Sequence, residues 1–154
     1  MTDLDTLAAR VHRLEQMERA RGLLHEYAAT VDRREVEPVV ALFHRDAVLR
    51  NPRGTFTGGT EIAEAFRAAW EIEPSLKQHF VATPKLTAES DDTIAAAARF
   101  LFVGRARERS VIGWGTYDLR VDAAGSHALF RSMKITVELS TDLDAGWALD
   151  PTPV

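Results

Sequence analysis

Two kinds of hydrophobic periodicity divide the chain near residue 79. Before that point, apolar residues recur every three or four positions, which is the spacing of one helix face. The first such stripe consists of apolar side chains in the first 31 residues: Leu4, Leu7, Val11, Leu14, Leu24, Tyr27, Ala28 and Val31. It predicts one helix, or two helices joined near Gly22. Asp3 and Asp5 at its start suit the positive end of the helix dipole.

Two shorter helical patterns follow. The first has Pro38 in its opening turn, where a missing N–H is harmless. Its apolar face consists of Val36, Val39, Val40 and Phe43. A short strand at 47–49 and a turn at 51–54 come next. After a Gly-Gly pair, Thr60 is the predicted N-cap of a third helix that stops at Pro74. The apolar stripe of that helix consists of Ile62, Ala65, Phe66, Ala69 and Trp70.

From residue 79 onward the period changes to two, which is typical of half-buried strands. The predicted strands span 79–88, 93–104, 111–122 and 128–140. Because the connecting turns are short, these strands predict an antiparallel meander. Helices followed by strands predict an α+β fold with the helices on one face of the sheet. The length of 154 residues suits one domain covering 1–154.

Two of the predicted strands contain small residues that indicate curvature or unfilled volume. Residues 95–98 are all alanine, which predicts either a pocket or a closely packed helix. Gly113 and Gly115 flank Trp114, and glycines inside a strand predict a bulge or a strong bend.

The last strand places Arg131 among apolar residues. With strict alternation, one of its faces consists of Leu129, Arg131, Met133, Ile135, Val137 and Leu139. An unpaired buried guanidinium is costly. Arg131 therefore pairs with a carboxylate, faces a wet pocket or lies where the face is open. The same assignment puts Phe100, Phe102 and Phe130 on the outer face of the sheet, which predicts a homodimer or homotrimer.

Composition and charge narrow the function classes. The chain has no cysteine, which excludes disulfides, thiolate nucleophiles and Cys-bound zinc. The net charge of −4, with scattered basic residues, favours neither nucleic acid nor an anionic membrane as a partner. The sequence shows neither a signal peptide nor an apolar run of about 20 residues. We therefore expect a cytoplasmic protein.

His79 differs from the other histidines, which are predicted on helix surfaces, at helix ends or in a turn. It opens a strand and shares a face with Val81 and Thr83. A histidine so placed is, on its own, more often structural than catalytic. Neutral imidazole can nevertheless accept a proton near neutral pH, and a carboxylate on its other nitrogen would fix the tautomer.

The order of several motifs resembles the SnoaL-like superfamily, which has the NTF2-like fold. The motifs are Tyr27-Ala-Ala-Thr-Val-Asp32, Phe43-His-Arg-Asp46-Ala-Val48, Gly58-Gly59-Thr-Glu-Ile62 and Gln78-His79-Phe80-Val81-Ala-Thr83. Thr83 stands where the superfamily usually has asparagine. The resemblance implies a cone in which three N-terminal helices and a curved antiparallel sheet enclose a small apolar or aromatic molecule.

The resemblance also implies a site. Scytalone dehydratase, bile acid 7-alpha-dehydratase and hexachlorocyclohexane dehydrochlorinase belong to this superfamily, and an aspartate–histidine pair removes a proton in them without a cofactor. Asp32 and His79 fall on the matching positions, and Tyr27 falls where those enzymes carry tyrosine or lysine. Arg131 lies near an arginine found in the last strand of several relatives. The implied catalytic residues are therefore Tyr27, Asp32, His79 and Arg131, with no cofactor and no metal.

Three functional hypotheses stay open. The first is a lyase that eliminates water or another small leaving group from a cyclic or aromatic substrate. The second is a double-bond isomerase that uses the same proton abstraction, and the third is a non-catalytic ligand-binding module. One histidine and one aspartate fall short of the three ligands of a catalytic zinc site. Tyr27 and Asp32 cannot share one helix face, so we expect Asp32 at the helix end, turned toward the pocket.

Overall fold

The computed structural model describes residues 2–105 and 109–143, in which three helices pack on one sheet of six strands. The helices are α1 (Asp3–Arg33), α2 (Val36–Ala41) and α3 (Gly58–Ile72). The strands are β1 (Phe43–Asn51), β2 (Gly54–Thr57), β3 (Leu76–Ala88), β4 (Thr93–Arg105), β5 (Ser110–Asp122) and β6 (Leu129–Asp142). Their order in the sheet is β2-β1-β6-β5-β4-β3. The turn predicted between β4 and β5 lies partly outside the described residues.

Helix α1 continues through Gly22 as one element. Its N-terminus has a capping box, in which Thr2 Oγ1 accepts the Asp5 N–H at 3.1 Å and the Asp5 carboxylate accepts the Thr2 N–H at 2.8 Å. Only the second half of the predicted apolar stripe is buried, as Leu24 and Tyr27 show. The first half is exposed: Leu4, Leu7, Val11 and Leu14.

The predicted antiparallel meander is confirmed, because β3, β4, β5 and β6 pair antiparallel in chain order. Strand β1 differs, since it pairs parallel with β6 and antiparallel with β2. Strand β2 was not predicted, because four residues are too short to show a period. Phe43 begins β1 instead of ending the second helix. The N-cap of α3 is Thr57 and not Thr60, and the Glu61 carboxylate accepts the Thr57 N–H at 2.6 Å.

The helices cover one face of the sheet, and that inner face carries most of the aromatic core. Phe100, Phe102 and Phe130 are buried there, so the prediction that they lie on the outer face is wrong. Apolar residues occupy both faces of β4, and alternation alone therefore could not orient it. The alanine run is shared between the faces: Ala96 and Ala98 are buried in the core, whereas their neighbours 95 and 97 face outward.

Of the bulge or strong bend predicted at Gly113 and Gly115, the β5–β6 ladder shows a bulge: its register shifts between Trp114 and Gly115, and the extra residue is Glu138 of β6. A Cβ on Gly115 would lie 1.9 Å from the carbonyl oxygen of Thr136, and one on Gly113 would lie 2.3 Å from the Phe102 ring. These glycines therefore leave room for the Phe102 and Phe100 rings and let β6 lie close to β5.

Strand β3 is irregular at Thr83, where its register with β4 shifts between Ala82 and Lys85. Thr83 has a φ of 48°, in the left-handed region. A β-branched residue is strained in that conformation, whereas asparagine and glycine tolerate it. The asparagine that the motif resemblance implies at this position would therefore suit this bulge better than threonine does.

We expect Thr83→Asn to raise the free energy of unfolding by about 1 kcal/mol, because a left-handed residue with a β-branch carries a strain of about that size. Thr83 is exposed, so the exchange removes little packing. Urea denaturation measures the change, and Thr83→Val is the control because it keeps the β-branch and should bring no gain. A Thr83→Asn variant no more stable than wild type would contradict the strain.

Candidate active site

The inner face of the sheet, α1 and α3 enclose a cavity of about 410 Å³, a size usual for small-molecule sites. The aromatic part of its wall consists of Tyr27, Phe66, Trp70, Phe100, Phe102 and Tyr117. Polar and charged residues line one end: Asp32, Arg34, Asn51, Arg53, Glu73, Ser75, Lys77 and His79. The cavity can therefore hold an apolar ring and offer it hydrogen bonds or charge at one end.

Asp32 and His79 form a hydrogen-bonded pair in this cavity, although 47 positions separate them in the chain. Asp32 lies in the last turn of α1, and His79 lies on β3, which is an edge strand with its free side toward α1. Nδ1 of His79 is 2.6 Å from Oδ1 of Asp32, and the His79 backbone N–H donates to Oδ2 at 2.9 Å.

Both side chains are largely removed from water, with exposed fractions of 14% for His79 and 21% for Asp32. Since a carboxylate only accepts hydrogen bonds, Nδ1 of the neutral imidazole carries the proton and Nε2 keeps its lone pair. The arrangement can accept a proton from a bound molecule at Nε2 and stabilise the resulting imidazolium.

Two phenols lie beside this pair. The Tyr27 and Tyr117 rings meet edge to face with their centroids 5.9 Å apart. Burial, together with the charge of Asp32, raises the pKa of Tyr27. Burial, Tyr27 and Asp32 likewise raise the pKa of Tyr117. Both phenols therefore stay protonated at neutral pH, and both line the cavity, so each hydroxyl can donate to a ligand bound there.

Arg131 lies outside the cavity, and the prediction that it belongs to the site is wrong. In the β5–β6 ladder Phe130 pairs with Val121 and Ser132 pairs with Arg120, which leaves Arg131 as the extra residue of a bulge. Its half-exposed guanidinium forms an ion pair with Asp122. The bulge breaks the alternation on which the inner-face prediction for Arg131 depends. Of the three predicted alternatives, pairing with a carboxylate is the one that the structure shows.

Other features of the described residues do not compete with the inner cavity for an apolar ligand. A depression of about 410 Å³ on the outer face of the sheet has no aromatic lining and is rimmed by charged residues such as Lys85 and Asp118. Within 2–105 and 109–143, no three histidine or carboxylate side chains are arranged to hold a metal ion. No helix in these ranges is long and apolar enough to cross a bilayer.

Solved structures with the same architecture belong to the NTF2-like superfamily. LinA aligns over 91% of this chain and 98% of its own, with 16% identity and a TM-score of 0.83. Hexachlorocyclohexane dehydrochlorinase LinA-type3 from Novosphingobium barchaimii aligns over 97% and 100%, with 18% identity and a TM-score of 0.75. A scytalone dehydratase-like protein from Novosphingobium aromaticivorans aligns over 87% and 91%, with 17% identity and a TM-score of 0.77. At such identities the likeness shows the fold.

The sequence itself carries the family assignment. No curated protein matches it significantly. The model of the SnoaL-like domain matches residues 12–150, a range that contains Tyr27, Asp32 and His79 and nearly all of the fold. The resemblance inferred from the motifs is thereby confirmed, and the chain belongs to the SnoaL-like domain family.

Proposed function

We propose that this protein is a cofactor-independent lyase that eliminates water or another small leaving group from a cyclic or aromatic substrate. The observation that carries the proposal is the Asp32–His79 pair, with 2.6 Å between carboxylate and imidazole, in a cavity walled by aromatic rings. A general base in such a place suits abstraction of a proton from carbon, which needs no metal or redox group.

In the proposed reaction, His79 Nε2 takes a proton from a carbon of the ring. The electron pair of the broken C–H bond forms a double bond, and the leaving group departs with its own bonding pair. Tyr27, and Tyr117 beside it, donate hydrogen bonds to the substrate oxygen that gains negative charge, which is a carbonyl oxygen or the leaving hydroxyl. Donors already in position for such charge contribute about 3 kcal/mol each. The proton on His79 then leaves with the hydroxide as water, or passes to solvent.

The names of the structural neighbours support elimination. One is a hexachlorocyclohexane dehydrochlorinase and another is scytalone dehydratase-like, and both names denote loss of a small molecule from a ring compound. The isomerase hypothesis uses the same base and the same phenols, and the binding-module hypothesis needs only the cavity. Products, and not the fold, distinguish these three functions.

The test is incubation of the purified protein with alicyclic β-hydroxy ketones and chlorinated cyclohexanes, followed by mass spectrometry. Loss of water or hydrogen chloride supports the lyase, and turnover should persist in EDTA after dialysis. A double-bond shift without loss of mass would identify the isomerase, and ligand binding without reaction would identify a binding module. Activity that EDTA removes and one metal restores would contradict the mechanism.

We also propose that the protein is a homodimer or homotrimer. Phe100, Phe102 and Phe130 are buried and therefore do not support an oligomer. A row of other apolar side chains, however, crosses the outer face of the sheet. Register neighbours on β3, β4, β5 and β6 form the row: Phe80, Leu101, Trp114 and Leu139. Their exposed fractions are 53%, 37%, 40% and 41%. A continuous exposed apolar row of this kind favours contact with another chain.

We expect light scattering at micromolar concentration to give a mass of two or three chains, and Trp114→Glu to lower it to one. A charge in the middle of the apolar row would oppose burial of that face. Ile72→Glu is the matched control, since Ile72 is also exposed but lies at the end of α3, outside the row. A monomeric wild type would contradict the proposal.

A further inference from the structure

The polar end of the inner cavity carries more positive than negative charge. Three cationic side chains line it, Arg34, Arg53 and Lys77, against two carboxylates, Asp32 and Glu73. Each carboxylate oxygen of Asp32 already accepts a hydrogen bond from His79.

Glu73 is also engaged by other groups. It accepts hydrogen bonds from the N–H and hydroxyl of Ser75, at 3.2 and 2.5 Å, and lies 3.2 Å from the Arg109 guanidinium. Among the described residues, neither Lys77 nor Arg53 has a carboxylate oxygen within 4 Å of its charged group, although Glu73 acts on Lys77 from farther away.

Lys77 lies two residues before His79 on the same face of β3, so the two side chains enter the cavity about 7 Å apart. Its ammonium lies 4.9 Å from the centroid of the Phe102 ring. Burial lowers the pKa of Lys77; Glu73 opposes this effect, whereas Arg53, Arg109 and Arg34 add to it. The ammonium is therefore short of negative charge, and an incoming anion would relieve this.

The two arginines differ in how firmly they are held. The Arg34 guanidinium donates to the carbonyl oxygens of Pro74, at 2.9 Å, and Trp70, and so is fixed by neutral partners. Arg53 lies in the turn between β1 and β2, and only its backbone N–H is bonded, to Asn51 Oδ1 at 2.8 Å. Its guanidinium has no partner among the described residues, so it can turn toward a ligand.

We propose that the natural ligand of this cavity is an alicyclic or aromatic carboxylic acid whose carboxylate is bound by Lys77 and Arg53. The ring then lies against the aromatic wall, in the same cavity as the His79 imidazole, because Lys77 and His79 extend from one face of β3. Lysine and arginine are the side chains that bind carboxylates most strongly. This inference names the substrate class of the proposed lyase and rests on the same cavity.

The test uses two aromatic probes of nearly equal shape, 2-naphthoate and the neutral 2-naphthamide, titrated into the full chain by calorimetry. We expect wild type to bind the acid at least about tenfold more tightly than the amide, the effect of one well-made charge-assisted contact. Lys77→Met and Arg53→Gln should each weaken 2-naphthoate about tenfold and leave 2-naphthamide unchanged.

Matched controls come from the opposite face of the sheet, where Lys85→Met and Arg50→Gln make the same changes of charge outside the cavity. Both should leave the two affinities unchanged. Circular dichroism checks that Lys77→Met folds. If Lys77→Met fails to fold, Arg53→Gln still provides the test, because Arg53 lies in an exposed turn.

Three results would overturn the inference: equal binding of the two probes by wild type, no binding of either at millimolar concentration, or an unchanged preference in both cavity variants. Because binding is measured without turnover, this test and that of the lyase can fail separately. A preference that depends on Lys77 and Arg53 without any elimination would overturn the lyase alone. His79-dependent elimination from neutral substrates without the preference would overturn only the inference.

Discussion

Replacing His79 with alanine is expected to lower kcat of the proposed elimination about a thousandfold, while affinity for a substrate analogue changes little. The imidazole supplies the base, and general-base catalysis contributes about 10² to 10⁴ in rate. The analogue is expected to be held mainly by the other side chains that line the cavity, which the substitution does not remove. Single-turnover kinetics on whichever substrate the wild type converts measures the chemical step, and calorimetry measures the affinity.

Asp32→Asn tests the other half of the pair and should lower kcat by about two orders of magnitude or more. An asparagine amide can donate to Nδ1, which would move the ring proton to Nε2 and leave no lone pair toward the substrate. The amide oxygen can still accept the His79 backbone N–H, so the link between α1 and β3 should survive.

His44 provides the control for both substitutions. It also lies near an aspartate, with Nδ1 3.8 Å from Asp46, but it does not line the cavity, and His44→Ala should leave kcat unchanged. If the Asp32–His79 pair only ties helix to sheet, both site variants would lower the melting temperature and keep their specific activity. That result would contradict a catalytic role.

The sequence could predict the arrangement of the fold because each long element repeats its period many times. Strand β5 alternates over its whole length, β3 alternates on either side of Thr83, and the second half of α1 has a buried stripe. It could not predict β2, which is too short, or the parallel pairing of β1 with β6, in which the paired residues are 84 to 87 positions apart. Periodicity describes a segment and its faces, whereas pairing is decided by the packing of the whole sheet.

The site was predicted in part, and each omission has a local cause. Motif order led to Asp32 and His79, although only the edge position of β3 explains how they meet. Lys77 is not among the predicted site residues, because the strand predicted from the sequence begins at His79. In the structure β3 begins at Leu76, so the face that carries His79 also carries Lys77. Tyr117 lies on the inward face of β5 with Gly113 and Gly115, and strict alternation along β5 is the signal that could have found it. Arg131 was misplaced by a second bulge, which alternation cannot show.

The largest expected effect on folding comes from Gly115→Ala, which should lower the free energy of unfolding by about 3 kcal/mol, the upper end of the usual cost of overpacking. The new Cβ would meet the carbonyl oxygen of Thr136 at 1.9 Å and the Phe100 ring at 2.8 Å. The carbonyl belongs to the β5–β6 ladder, so it can move only if the sheet moves.

Gly22→Ala is the matched control, because nothing lies within 4 Å of its added Cβ and Gly22 lies within α1. There the same exchange should raise the free energy of unfolding by about 0.5 to 1 kcal/mol, since alanine favours the helix over glycine. Denaturant unfolding of both variants measures the two changes in the free energy of unfolding, a decrease for Gly115→Ala and an increase for Gly22→Ala. In a chain of this size, a loss of 3 kcal/mol corresponds to a Tm lower by about 6 to 12 °C. Equal stability of Gly115→Ala and wild type would show that β5 does not approach β6 this closely.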